Sequence, residues 1–226
     1  MKFSEETLHF LMINKIENSR NWFSDHKEDY KRLVVQPLAD FVIELAPTML
    51  EIDPMFDCEP KINRTISRIY RDTRFSRDKT IFRDVAWCLF IRDKKLFRGL
   101  PGFFFELSPR GFRYGCGFYC ADTATMNNIR QFALNNDPVF HKAKTAYNKQ
   151  KIFTLAGDLY KRTHYPHQSE EMRKWLDLKD ICFICDSTDF ELLYSDKLSN
   201  KIAEDLKLLA PEYRLMLNAA IAGSNG

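Results

Sequence analysis

Arg64 to Asp84 reads RTISRIYRDTRFSRDKTIFRD and holds the densest chemistry in the chain. Seven bases (Arg64, Arg68, Arg71, Arg74, Arg77, Lys79 and Arg83) stand against three acids, Asp72, Asp78 and Asp84. The segment therefore carries +4 where the whole chain carries +3, and the remainder sums to −1. Six of the seven bases are arginine, whose planar guanidinium makes forked bonds to carboxylate or phosphate. Tyr70, Phe75 and Phe82 are interleaved among them.

This composition suits a cradle for a small anionic ligand, bearing phosphate or carboxylate. Arg68, Arg71, Arg74 and Lys79 would hold the acidic group, with Arg83 preserving a further charge. Asp72 and Asp78 would orient them, and Trp22 or Phe75 would wall the pocket. No nucleophile or general base can be named, so no reaction is assigned and enzymatic activity stays open. Two alternatives remain. Asp72 and Asp78 could bridge Arg68, Arg71, Arg74 and Lys79 into a structural or partner-binding ion-pair lattice, in which losing Asp72 would strand buried guanidiniums and destabilise the domain. The same bases could also stack on and neutralise a nucleic-acid strand. The overall balance speaks against that last reading: the pI is 8.4, and nucleic-acid-binding domains commonly run above about 9. Because bases so close together repel one another, the segment is expected to be held by its interleaved carboxylates and to face a cleft.

Other constellations are weaker. His164-x-x-His167 has Pro166 between its imidazoles and no acidic third ligand at a fixed spacing, so it reads as a turn before a helix capped by Ser169. His26 lies one turn from Trp22 and Tyr30 and reads as a half-buried core histidine. Ser76 has no histidine nearby in sequence to activate it. Gly115-x-Gly117 sits in a strand pattern, where glycine permits a close backbone approach. No nucleotide fingerprint or other cofactor motif stands out, and no metal site is expected.

The elements that must position these residues fall into three stretches. Residues 1–55 carry apolar residues at helical spacing: Leu8, Leu11 and Met12, then Trp22, Phe23, Tyr30 and Leu33, then a third helix from Pro37 with Leu38, Phe41, Val42 and Leu45. Residues 62–120 change period. Val85–Ile91, Gly102–Leu107 and Phe112–Tyr119 read as strands, the last two joined at Pro109-Arg-Gly111 as an antiparallel hairpin. Residues 121–226 return to helices, capped at Asp122 and opened at Asp137-Pro138, with strands at 152–155 and 181–185 and a final helix that Pro211 kinks or restarts. The expected fold class is α+β: one domain over 1–226, with an antiparallel sheet of about four to six strands covered by the N- and C-terminal helices.

Composition narrows the class. The 226 residues are 45% hydrophobic and 29% charged, the balance of a chain that folds. With 19 phenylalanines the core should be rich in rings. The longest unbroken apolar run is seven residues, Val85–Ile91, short of the ~20 of a membrane span, so no membrane contact is expected. Glu5 and Glu6 stand where a secretory signal would turn apolar. The expected location is therefore cytoplasmic, with the six cysteines as packing thiols and Cys182 and Cys185 on opposite faces of a strand.

Arg68-Ile-Tyr-Arg-Asp-Thr-Arg-Phe-Ser-Arg-Asp-Lys-Thr80 resembles the signature of the domain of unknown function 2461 family. Asn21-Trp22-Phe23 is similar to that family's N-terminal helix start. Tyr114-Gly-Cys-Gly-Phe118 with Ile129-Arg130 resembles its glycine-rich strand and following helix. The resemblance covers nearly the whole chain and implies a fold and a site location, not a reaction. After Lys79-Thr80 the family pattern continues Pro-Tyr-Lys, while this chain has Ile81-Phe82-Arg83. The charge is kept at Arg83, and the proline's rigid turn and the tyrosine hydroxyl are gone.

Overall fold

Period-two alternation in the middle of the chain decides which side chains reach the core and which are left for a site. The computed structural model describes residues 3–93 and 99–224. Positions 94–98 of the expected sheet stretch, and the chain ends within the expected domain 1–226, lie outside the described residues. β1 (Ala86–Phe90), β2 (Gly102–Ser108), β3 (Gly111–Gly117), β4 (Thr154–Ala156) and β5 (Cys182–Ser187) form one antiparallel sheet, ordered β1-β2-β3-β5-β4. In the last pair Thr154 faces Ile184, Leu155 faces Phe183 and Ala156 faces Cys182. With helices before and after the strands, the fold is α+β. Ala86, Cys88, Phe90, Phe103, Phe105 and Leu107 are buried, while Trp87, Glu106 and Ser108 between them reach the other face.

Packing groups the chain into two compact units. The first holds Met1–Phe90, Phe104–Tyr114 and Asp186–Ala203. It opens with α1 (Glu5–Glu17), where the Ser4 N–H donates to Thr7 Oγ1 at 3.1 Å. α1 stops at Asn18, in the left-handed region at φ 46°. α2 (Arg20–Asp25) is capped by Ser19, whose Oγ accepts from the Trp22 N–H at 3.3 Å. α3 (Lys27–Tyr30), a π turn at Lys31–Val35 and α4 (Gln36–Ile52) then follow without a break, so the helix expected to start at Pro37 instead runs unbroken from Lys27. Proline removes one i→i−4 hydrogen bond, and the wider π turn just before it takes up the misfit. By length and composition this 26-residue helix could cross a membrane. Here it is the unit's core helix, with Leu38, Phe41, Val42, Leu45 and Met49 buried. The Phe41 ring lies 4.5 Å from Phe105 on β2. α8 (Phe190–Leu193) follows β5, and α9 (Leu198–Lys207) begins before the unit ends.

The second unit holds Ile91–Phe103, Gly115–Cys185 and Glu204–Gly226. Its helices are α5 (Thr123–Leu134), α6 (Pro138–Lys149), α7 (Glu170–Leu176) and α10 (Ala210–Ser224), the last packed on α5 and α6. Pro211 stands in the first turn of α10, so it restarts the helix. Arg130 is buried, and its guanidinium donates to the carbonyls of Leu176 at 3.0 Å and Leu178 at 2.6 Å and to Asn127 at 2.8 Å. That buried cation ties α5 to the C-terminal end of α7. A Cβ at Gly115 would meet the carbonyl oxygen of Phe183, so the glycine permits the close approach of β3 to β5. Glu212 is fully buried with neither carboxyl oxygen hydrogen-bonded, and burial pushes its pKa up to about 8. All six cysteines are free thiols, but Cys120 is exposed and does not pack.

Candidate functional site

The arginine segment folds as an irregular two-armed hairpin. Its arms are laddered by main-chain bonds from Arg71 N–H to Ile81 O at 2.8 Å and from Arg83 N–H to Ile69 O at 3.0 Å. Lower down, the first arm bonds to β1, from Ser67 N–H to Trp87 O at 2.9 Å and from Leu89 N–H to Thr65 O at 2.8 Å. The foot is apolar. Phe82 is fully buried, with ring centroids 5.0 Å from both Phe23 and Tyr70. A tyrosine hydroxyl in this position would need a buried partner. Ile81 is fixed through its main chain. Its N–H, which a proline would lack, donates to Asn18 Oδ1 at 2.6 Å and ties the second arm to the end of α1.

Beside the foot, all within the first unit, lies a cleft of about 830 Å³. Five cations line it: Lys15 from α1, Arg71 and Arg83 from the two hairpin arms, Arg110 from the β2–β3 turn and Arg113 from β3. Four acids accompany them: Asp78, Asp84, Glu106 and Asp186. Asp84 is the hub. With only 14% of its side chain exposed, it takes Lys15 Nζ at 2.9 Å and Arg110 Nη1 at 3.1 Å. Partial burial pushes its carboxyl pKa up, but the bonds from Lys15 and Arg110 outweigh that and hold it below the usual carboxylate range. Glu106 holds Arg113 Nε at 2.7 Å across the β2–β3 hairpin. Arg83 lays its guanidinium 4.5 Å from the centroid of the Trp87 ring. Gly111, at φ 135°, brings β3 against β5 at the cleft, where a Cβ would meet the Ser187 carbonyl.

The outer end of the hairpin is different. Asp72 accepts from the Arg74 main chain at 3.2 Å and from its guanidinium at 2.7–3.3 Å, which lowers its pKa to about 2. Asp78 accepts from the Thr80 hydroxyl, the Thr80 N–H at 2.9 Å and Arg71 Nη1, and its pKa is lowered too. Lys79 Nζ reaches the Thr73 carbonyl at 3.0 Å. Phe75 is 97% exposed, with the Arg74 guanidinium 5.9 Å from its ring centroid.

Of the residues singled out from the sequence, the cleft gathers Arg71, Asp78 and Arg83. Asp72, Arg74, Phe75 and Lys79 stand on the exposed tip. Arg68 faces a separate groove with Lys27, Tyr30 and Tyr70. Trp22 stacks on His26 at 3.9 Å in another groove and walls no part of the cleft. Asp72 is exposed beside an exposed Arg74, so its loss would strand no buried guanidinium, and that expectation is corrected. Lys15, Trp87, Glu106, Arg110, Arg113 and Asp186 were missed. Glu106 and Arg113 had a signal: they sit symmetrically about the two-residue turn at 109–110, where opposite charges face each other across a hairpin. Lys15 had none.

The family described as conserved hypothetical protein (DUF2461) matches residues 6–214. No curated protein matches the chain. The match spans far more than half of the sequence, and the chain belongs to that family.

Proposed function

We propose that this member of the DUF2461 family binds a small anionic ligand, phosphate- or carboxylate-bearing, in the cleft beside the arginine hairpin. One observation carries the reading: five cationic side chains from separate parts of the first unit converge on one concave site. Their pairing with carboxylates leaves donors in reserve. Arg71 gives Nη1 to Asp78 and Arg110 gives Nη1 to Asp84, while a guanidinium carries five N–H donors. Asp84 would then act as a positioning residue, holding Lys15 and Arg110 for the ligand. The reading is of binding, with no reaction assigned.

Titration calorimetry and thermal melts with phosphate and malonate test it. Phosphate is expected to raise the wild-type midpoint. Arg110→Ala and Arg113→Ala should abolish that rise, and Arg77→Ala, on the exposed tip, should keep it. Absence of any rise in the wild type, or equal loss in all three variants, would sink the proposal.

A further inference from the structure

Resting on that reading, we infer that the ligand carries a planar ring next to its anionic group, as in a phosphate monoester of an aromatic ring, and that the Trp87–Arg83 stack receives the ring. Strand alternation puts Trp87 on the outer face of β1, since Ala86, Cys88 and Phe90 take the core face. A tryptophan there belongs to the wall of the cleft and not to the core. The Arg83 guanidinium carbon lies over it, 4.5 Å from the ring centroid. An indole with a stacked guanidinium is a layered pair of planar groups, and such pairs accept a further flat ring. Lysine could supply the same charge but not the plane.

Size supports the same conclusion. About 830 Å³ is far more than a bare phosphate fills and lies in the range of sites that enclose ligands of several rings or a ring with a polar tail. Lys15, Arg110 and Arg113 would hold the anionic end and Trp87, with Arg83 over it, the ring; of the aromatic side chains among the described residues of the cleft wall, Phe82 and Phe112 are fully or nearly fully buried and Trp87 is not.

The test is calorimetric titration with phenyl phosphate and methyl phosphate, which match in charge and differ in the ring. Wild-type protein is expected to bind phenyl phosphate about tenfold more tightly, as one stacked ring provides. The ratio should fall to about one in Trp87→Leu and stay well above one in Trp87→Phe. Equal affinities in the wild type overturn the inference, as does a tenfold ratio that survives in Trp87→Leu. Should Trp87→Leu fail to fold by circular dichroism, Arg83→Lys replaces it, since it retains the charge and removes the plane; a ratio unchanged in that variant overturns the stack. If neither phosphate binds the wild type, the anion-site reading itself has failed and this inference falls with it. Binding of both without preference leaves the anion site standing and removes the ring alone.

Discussion

The foot and the tip of the arginine hairpin use the same residue types in opposite ways. At the foot, Asp84 is largely covered and pairs with Lys15 and Arg110, which are 69 and 26 residues away in the chain. At the tip, Asp72 has 45% of its side chain exposed and pairs with Arg74, two residues on. Phe82 at the foot is fully buried, and Phe75 at the tip is 97% exposed. An alternating run of charge and aromatics therefore says nothing of which half anchors a fold. What separates the halves is whether a partner arrives from elsewhere in the chain. Long-range pairs in a half-buried setting organise structure, whereas local pairs in water are screened and contribute little.

The largest effect should come from the foot. Phe82→Ala removes a fully buried ring packed on Phe23 and Tyr70 and is expected to cost about 4 kcal/mol in denaturant unfolding. A loss under about 1 kcal/mol would mean that the foot is no anchor. A carboxylate more buried than Asp84 sharpens the contrast from the second unit. Glu212 has its pKa raised from 4.5 to about 8, so the folded state keeps a proton that the unfolded chain releases. Stability from this group should fall as pH rises from about 4.5 to 8. Glu212→Gln should flatten that fall and add about 3 kcal/mol at alkaline pH, less than the full linkage because the amide is itself buried and polar. An unchanged pH profile would show that the carboxyl is not neutral in the fold.

Asp84→Ala comes next, at about 1–2 kcal/mol, since two cations lose a half-buried partner. Its depressed pKa sets the sign of the pH dependence. The contribution is fully present above the unfolded carboxylate value near 4 and is lost as pH falls through the lower folded value. The gap between wild type and variant should therefore close in acid. A gap that is constant with pH would make Asp84 a packing group and not a charged hub.

Much of the sheet was legible because strand patterns are local. The Gly102–Leu107 and Phe112–Tyr119 runs appear as β2 and β3 within a few residues, and the turn at Pro109–Gly111 joins them. The cleft was legible only where its residues share the arginine segment. Lys15 reaches it from α1 and Asp186 from β5, and no local spacing announces that meeting. Trp22 was misplaced because a helix start predicts a face, not the groove that face opens on. The helix break expected at Pro37 was missing because a π turn, which leaves no clear mark in sequence, takes up the proline.

The smallest effects belong to the tip, and they separate a ligand role from a structural one. Asp72→Ala frees an exposed Arg74 into water, so the thermal midpoint should stay within error of wild type. Phe75→Ala removes a ring that touches almost nothing but solvent and the Arg74 guanidinium, and should change stability by less than about 0.5 kcal/mol. Both substitutions lie outside the cleft lining, so any rise in midpoint that phosphate gives the wild type should be kept in both variants. If either variant instead unfolded early, the local pairs of the tip would be bracing the hairpin, and foot and tip would be one cooperative unit. If both folded normally but lost the response to phosphate, the anion would be held at the tip, and the cleft would be the wrong site.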